Sequence, residues 1–341
     1  MLFFLIGSAL AGELTLDMLD VGQGDAVLLT TSQGKHILVD AGTRSSDVAG
    51  TLQRMKVERL DLVVATHPHA DHIGGMAEVV ERFPVGNYID SGSTHTTRTY
   101  RNLQETLRQH RVTRNQAAAG QEFDLGDGAT MRILWPGTMR LEGTRSDLNS
   151  NSVVLRIQNG QDCMLLTGDA EEETERAIVR HNFQPCELLK VAHHGSRHST
   201  SQAFLDAVAP EIALISSGEG NRYKHPGDET IRKLHRMEVE TYRTDLTGHV
   251  TVVSTGQGFR VSDGLPDDAP LRAPRQSLPP ETGPVTSETQ PTPQIVDPLP
   301  PAAPTPPEEV PSKSVEIPVD PEPPQAVSSC KSFFQRLAFW K

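Results

Sequence analysis

His67-Pro68-His69-Ala70-Asp71-His72 places three imidazoles and one carboxylate within six residues. The apolar run Leu60 to Ala65 before it reads as a buried strand, and a helical pattern from Ile73 to Phe83 follows. Gly74 and Gly75 open that helix and let other backbone come close to the turn. Four ligand-type side chains therefore leave one strand-to-helix loop. His67 and His69 alternate outward together, while Asp71 and His72 turn toward a second point nearby. That layout suits two divalent cations, each taking two ligands from the loop. A lone histidine would carry no such reading; this spacing, between a strand and a glycine-opened helix, does.

Two cations held by one loop would be under-coordinated, so further donors are expected downstream. Leu165-Leu166-Thr167-Gly168-Asp169 ends an apolar strand in a carboxylate that can bridge two ions. Leu189-Lys190-Val191-Ala192-His193-His194-Gly195-Ser196 ends the next strand in two adjacent histidines. Neighbouring side chains on a strand point opposite ways, so only one of the pair is expected to bind metal. His194, beside the permissive Gly195, is favoured, with His193 left open. Asp40, where the strand His36 to Val39 gives way to Asp40-Ala41-Gly42, is placed to hold a ligand histidine in one tautomer from behind. His36, His95, His110, His181, His198, His235 and His249 stand outside any ligand-type cluster in the sequence.

The elements that must position these groups follow from periodicity. Strands are expected at Glu13 to Leu19, Val27 to Thr30, Val85 to Asp90, Val153 to Ile157, Cys163 to Leu166, Leu188 to Val191, Ile212 to Ile215 and Val250 to Val253. Phe123 to Leu125 and Met131 to Leu134 read as a hairpin. Helices are expected at Val48 to Met55, Tyr100 to His110, Glu171 to His181, Ala203 to Val208 and Glu229 to Met237. Strands in two sets, each followed by helices, predict an α/β fold with two sheets between helical layers.

Composition divides the 341 residues unevenly. Nineteen of the 25 prolines lie between Pro266 and Pro324, so the globular domain is expected to occupy residues 13–262. Residues 263–328 read as a Pro-rich disordered linker, too poor in apolar surface to fold, and 329–341 as a short basic-aromatic tip suited to a membrane surface or an envelope partner. Residues 1–12 (MLFFLIGSALAG) have an apolar core and an A-x-A-like site and read as a signal peptide. Export to the periplasm or outside is then expected; a buried first strand and a cytoplasmic location is the other reading. The net charge of −12 argues against wide non-specific nucleic-acid binding, although bound cations can reverse the sign of a site. Cys163 and Cys186 are expected to pack as small apolar residues, and no zinc module of the C-x-x-C type exists.

The set Asp20-Val21-Gly22-Gln23-Gly24-Asp25, Asp40-Ala41-Gly42, His67 to His72, Asn149-Ser150-Asn151-Ser152, Thr167-Gly168-Asp169, His193-His194-Gly195-Ser196, Asn221 to Pro226 and Arg243-Thr244-Asp245 resembles the metallo-β-lactamase superfamily. It is most similar to the ComEC-type branch, the hydrolase domain attached to the bacterial competence DNA-uptake channel. The resemblance runs from about Leu14 to Val253. It implies a four-layer αββα sandwich with metals at one edge. It also implies holding roles behind the ligands for Asp25, Asp40 and Asp245. Two departures stand out. The chain has none of the channel's membrane helices, and it carries Asn149 to Ser152 where other superfamily members place a third histidine, which leaves the first metal site short of a strong ligand.

The expected activity is therefore that of a metallo-hydrolase, most of all a phosphodiesterase or nuclease acting on DNA or a smaller phosphodiester. Two divalent ions, Zn²⁺ or Mn²⁺, would be held by His67 and His69 on one side and Asp71, His72 and His194 on the other, with Asp169 bridging. A hydroxide held between them would be the nucleophile, with Asp71 orienting it. His225 would contact a phosphate oxygen or protonate the leaving alkoxide. The alternatives are hydrolysis of a lactone, thioester or β-lactam, or a metal-bearing binding module tethered to the envelope.

Overall fold

The computed structural model describes residues 11–180 and 183–264. Its strands in chain order are β1 (Leu14–Met18), β2 (Val27–Thr31), β3 (His36–Val39), β4 (Leu60–Ala65), β5 (Val85–Asp90), β6 (Thr113–Gln116), β7 (Glu122–Gly126), β8 (Ala129–Trp135), β9 (Val154–Asn159), β10 (Asp162–Leu166), β11 (Leu188–Lys190), β12 (Ile212–Ile215), β13 (Glu240–Arg243), β14 (Val250–Ser254) and β15 (Phe259–Asp263). The helices are α1 (Val48–Arg54), α2 (Ala70–Ile73), α3 (Met76–Arg82), α4 (Arg98–Gln109), α5 (Asp147–Ser150), α6 (Glu172–Val179), α7 (Gln202–Val208), α8 (Asp228–Arg236) and α9 (Thr244–Thr247).

One sheet runs β15-β14-β1-β2-β3-β4-β5-β6, and the other runs β13-β12-β11-β10-β9-β8-β7. Alternation along single strands shows how they stack. Leu62 and Val64 of β4 pack with Leu155 and Ile157 of β9 and Met164 and Leu166 of β10 in one core between the sheets. Leu60, Val63 and Ala65 face the other way, onto Leu52, Val79 and Leu103 of α1, α3 and α4. On the far sheet Leu165 and Leu189 turn outward onto Phe204 and Leu205 of α7 and Leu234 of α8. The period of two puts each strand's residues into two separate cores, and the result is the expected four-layer αββα sandwich.

Most expected elements form within a residue or two of their predicted ends. The helix expected over Ile73 to Phe83 is instead two, α2 and α3, separated at Gly74 and Gly75. A Cβ at Gly75 would meet the Ala41 carbonyl oxygen at 2.4 Å, so the chain there lies against the end of β3. Strands β6, β13 and β15 were not expected. β6 is almost wholly solvent-facing and polar, Thr-Arg-Asn-Gln, so it carries no apolar alternation to betray it; it forms by pairing in parallel with β5.

A second correction concerns the cysteines. Cys163 and Cys186 form a disulfide, with Cα atoms 4.9 Å apart. Parallel pairing of β10 with β11 aligns Met164 with Leu188 and thereby brings the two sulfurs together. Both cysteines are buried, so they do occupy apolar positions, but as a bonded pair. The proline-rich segment, the tip and the first ten residues lie outside the described residues. Among the described residues no helix is long and apolar enough to cross a membrane.

Candidate metal centre

The strands that carry the site residues are parallel neighbours: β3 with β4 in one sheet, and β10 with β11 and β12 in the other. Their carboxyl ends open toward one edge of the sandwich, the usual place for a site in such sheets. β3 ends at Asp40, β4 at the histidine loop, β10 at Asp169, β11 at the His193-His194 turn and β12 at Ser216.

Asp169 is the centre of the arrangement and is buried. Its Oδ2 lies 3.7 Å from His67 Nε2, and its Oδ1 lies 3.2 Å from His72 Nε2 and 3.6 Å from His194 Nε2. His69 Nδ1 lies 2.8 Å from His67 Nε2. Asp71 Oδ2 lies 3.6 Å from His194 Nε2. Two donor sets result: His67, His69 and Asp169, and Asp71, His72 and His194, each with its ligand atoms within 4.8 Å of one another. Buried polar atoms are almost always hydrogen-bonded. Here His72 Nε2, His194 Nε2 and Asp169 Oδ1 have no hydrogen-bond partner and converge on one another. Imidazoles and carboxylates left unpaired around a shared point are the donors a divalent cation takes, so the residues fit a metal.

The profile of one family, described as the metallo-beta-lactamase superfamily, matches residues 19–219. The chain belongs to that superfamily. It is similar to "Recombination protein 2" of Haemophilus influenzae, 32% identical over 244 residues, which are 70% of this chain and 28% of the relative. It is similar to "Competence protein ComA" of Neisseria gonorrhoeae, 33% identical over 242 residues, 69% of this chain and 32% of the relative. It is also similar to "ComE operon protein 3" of Bacillus subtilis, 28% identical over 274 residues, 73% of this chain and 34% of the relative. The chain thus spans about a third of the length of the curated relatives it matches.

Behind the candidate ligands of this superfamily member stands a set of fixed acceptors. His72 Nδ1 is 2.8 Å from Asp40 Oδ2, and Asp40 also accepts from the Thr66 amide and hydroxyl at 2.8 and 2.6 Å. His194 Nδ1 is 3.0 Å from the Ser216 carbonyl and 3.2 Å from Asp25 Oδ1. With Nδ1 engaged at the rear, both histidines turn Nε2 toward Asp169. Asp25 reaches this place because Gly24 lets the turn lie on the histidine loop: a Cβ on Gly24 would sit 2.3 Å from the Asp71 carbonyl oxygen. Ser152 Oγ accepts from the Asp169 amide at 3.3 Å. Asn149 Nδ2 lies against Glu171 Oε1 at 3.3 Å and the His193 ring nitrogens at 3.4 and 3.5 Å. Asp245 is bonded to Arg243 at 2.6 and 3.0 Å, not to any of the candidate donors. His225 is half-buried at the outer rim, its ring 5.6 Å from that of His193 and 6.4 Å from that of His194.

The charges answer one another. Burial raises the Asp169 carboxyl, but His72, His193 and His194 outweigh it and hold the group well below the usual carboxylate range. Burial depresses His194, yet Asp169 and Asp25 push it up to about 10; His72 is raised in the same way by Asp169 and Asp40. His67 is driven down by burial and by His72. In the cation-free protein His72 and His194 therefore carry the positive charge that Asp169 requires.

Three residues of the site escaped the sequence reading. Lys190 is buried with Nζ 2.6 Å from Asp25 Oδ2. Glu171 is buried beside His193 and pairs with Arg145. His95 stacks edge-on to His69 with ring centres 6.0 Å apart. Only Glu171 had a usable signal, an acidic residue two positions after Asp169.

Proposed function

We propose that this metallo-hydrolase is a phosphodiesterase that cleaves nucleic acid, with DNA as its substrate and two divalent ions, Mn²⁺ or Zn²⁺, in its site. The observation that carries the reading is Asp169: its two oxygens face two different sets of imidazoles, as a bridging carboxylate between two cations must. When bound, such ions lower the pKa of water and supply positive charge opposite the phosphoryl oxygens. The chain's own residues do the rest. His67 and His69 offer neutral nitrogens, His72 and His194 offer theirs once their protons leave, and Asp169 offers the shared carboxylate. Asp71, whose side chain is 32% exposed, is the solvent-facing carboxylate of the set and is placed to orient an attacking water.

Burial, helped by the two neighbouring histidines, depresses His225 to about 4. It is thus a neutral imidazole near pH 7, better suited to donating a hydrogen bond to a phosphate oxygen than to protonating an alkoxide. Exposed Arg145, Arg197, Arg222 and Lys224 sit on the loops that carry Asn149, His194 and His225. The same loops carry exposed Glu142, Asp147, Glu219 and Asp228, so these cations offer single contacts to phosphate oxygens rather than a net basic rim. The names of the relatives, a recombination protein and a competence protein, support nucleic acid as the substrate class. The Cys163–Cys186 bond supports an oxidising compartment outside the cytoplasm. We extend the reading to the ends of the chain: residues 1–12 as a signal, 263–328 as a tether and 329–341 as an envelope-docking tip.

The test is a substrate screen with the full chain and added Mn²⁺ or Zn²⁺. Single- and double-stranded DNA and bis(4-nitrophenyl) phosphate should be hydrolysed, while nitrocefin and a thioester should not. Metal-dependent turnover confined to the thioester or the β-lactam would overturn the reading.

A further inference from the structure

We infer that His193 completes the first cation site, supplying the imidazole that the Asn149–Ser152 segment does not. The inference rests on the two-cation reading above but concerns metal binding alone. His193 and His194 are not on a strand. They lie in the turn Ala192–Gly195 with φ values of 51° and 55°. Two successive left-handed residues do not alternate as strand residues do, so both imidazoles turn toward the site.

The geometry divides the pair between the two oxygens of Asp169. His194 Nε2 is 3.6 Å from Oδ1. His193 Nε2 is 3.6 Å from Oδ2, the oxygen that His67 Nε2 approaches at 3.7 Å. Two donors on one tetrahedral ion, with bonds of about 2.0–2.1 Å, lie about 3.4 Å apart. The two distances to Asp169 Oδ2 are close to that, while His193 stands just outside the sets whose donors all lie within 4.8 Å of one another and must draw in toward His67 as the ion binds.

The surroundings of His193 are those of a metal-ligating histidine. Its Nδ1 faces Glu171 Oε1 at 3.5 Å, which leaves Nε2 directed at Asp169. Glu171 is held by Arg145 and by Asn149 Nδ2. Carboxylate behind imidazole is the common arrangement at such sites. Asn149 lies against the His193 ring, so the segment that lacks a histidine is packed on the one that replaces it. Glu171 Oε2 has no hydrogen-bond partner, which leaves that carboxylate free to tighten onto Nδ1–H once Nε2 is engaged.

The experiment uses the full chain loaded with Co²⁺ or Mn²⁺, dialysed, and assayed for metal content and for titration by calorimetry. The unmodified protein should hold two ions of comparable affinity. His193→Ala and His193→Gln should each keep one tight ion and lose about 10–100-fold affinity for the other. The visible spectrum of the remaining Co²⁺ should match that of the second site alone. Glu171→Gln should weaken the same ion by less. Circular dichroism and the unfolding midpoint identify a variant that has failed to fold, and the Gln variant keeps a polar side chain of similar length in place. Two ions bound by a folded His193→Gln with unchanged affinity would overturn the inference. So would a single tight ion in the unmodified protein. Loss of one ion in the variants, in a protein that hydrolyses no phosphodiester, would leave this inference standing and remove the proposed function.

Discussion

Lys190 Nζ lies 2.6 Å from Asp25 Oδ2, with both side chains buried and 165 residues apart in sequence. The other oxygen of Asp25 faces His194. A cation on β11 thus holds the carboxylate that faces the candidate ligand His194. Burial raises the Asp25 carboxyl, but Lys190 and then His194 outweigh it and keep it ionised. Removing one member of a buried pair leaves an uncompensated charge, which costs about 3–5 kcal/mol. Lys190→Met should therefore lower stability by about that amount in urea titration and weaken metal binding as well. Adding Asp25→Asn to it should recover part of the stability. A loss below about 1 kcal/mol in the single variant would show that the pair is not structurally needed.

Asp169→Ala should remove the shared carboxylate from both donor sets. We expect hydrolysis to fall at least about 100-fold, with metal content dropping alongside it. Near-normal turnover with Ala at this position would mean that the bridging role is misassigned. Far-ultraviolet circular dichroism on the same samples separates loss of the site from loss of the fold.

Asp17, buried on β1 opposite Thr251, makes a prediction about pH. Burial raises its carboxyl from 3.8 to about 6, against the Thr251 hydroxyl, which lowers it. Below 3.8 the group is protonated folded and unfolded, and it contributes nothing. Between 3.8 and about 6 the unfolded chain loses the proton first, so stability falls as pH rises. Above about 6 the penalty is complete, and the difference in pKa corresponds to about 3 kcal/mol. Asp17→Asn should thus raise the unfolding midpoint at pH 8 and do nothing near pH 3.5. A gain of equal size at both pH values would point to packing rather than ionisation.

The Cys163–Cys186 bond closes a loop with a sequence separation of 23 residues. Its removal should cost about 2–4 kcal/mol. Reductant should lower the melting temperature of the unmodified protein and leave the Cys163→Ala/Cys186→Ala double variant unchanged. A reductant-insensitive melting temperature in the unmodified protein would argue that the thiols stay unbonded in solution.

Cation binding should release protons. His72 and His194 are held protonated by Asp169 and their rear carboxylates, and His194 keeps its proton up to about 10. A bound cation needs those nitrogens free, so apparent affinity should increase with pH across the neutral range. Calorimetry in buffers of different ionisation enthalpy would measure the protons released. A count of zero at pH 7 would contradict the charge arrangement described.

His67, His69, Asp71 and His72 were legible as a candidate ligand cluster from sequence because they are neighbours on one loop, and local periodicity sets the loop. The four-layer fold was legible for the same reason: alternation along β4 or β10 is a property of a few adjacent residues. Asp169 was found because a carboxylate at the end of an apolar strand is also a local signal. What only the tertiary structure decided are relations between distant segments. Lys190 in an apolar strand says nothing until Asp25 is brought to it across 165 residues. Cys163 meets Cys186 only once β10 and β11 pair in parallel, in one register. The His193-His194 dipeptide, read as strand, implied opposite faces. The backbone instead turns left-handed at both residues, where Gly195 allows close packing on Pro226: a Cβ there would lie 2.6 Å from the Pro226 Cβ. Dihedral angles of that kind are set by contacts with other segments and leave no trace in local periodicity, so the orientation of the second histidine had to come from the fold.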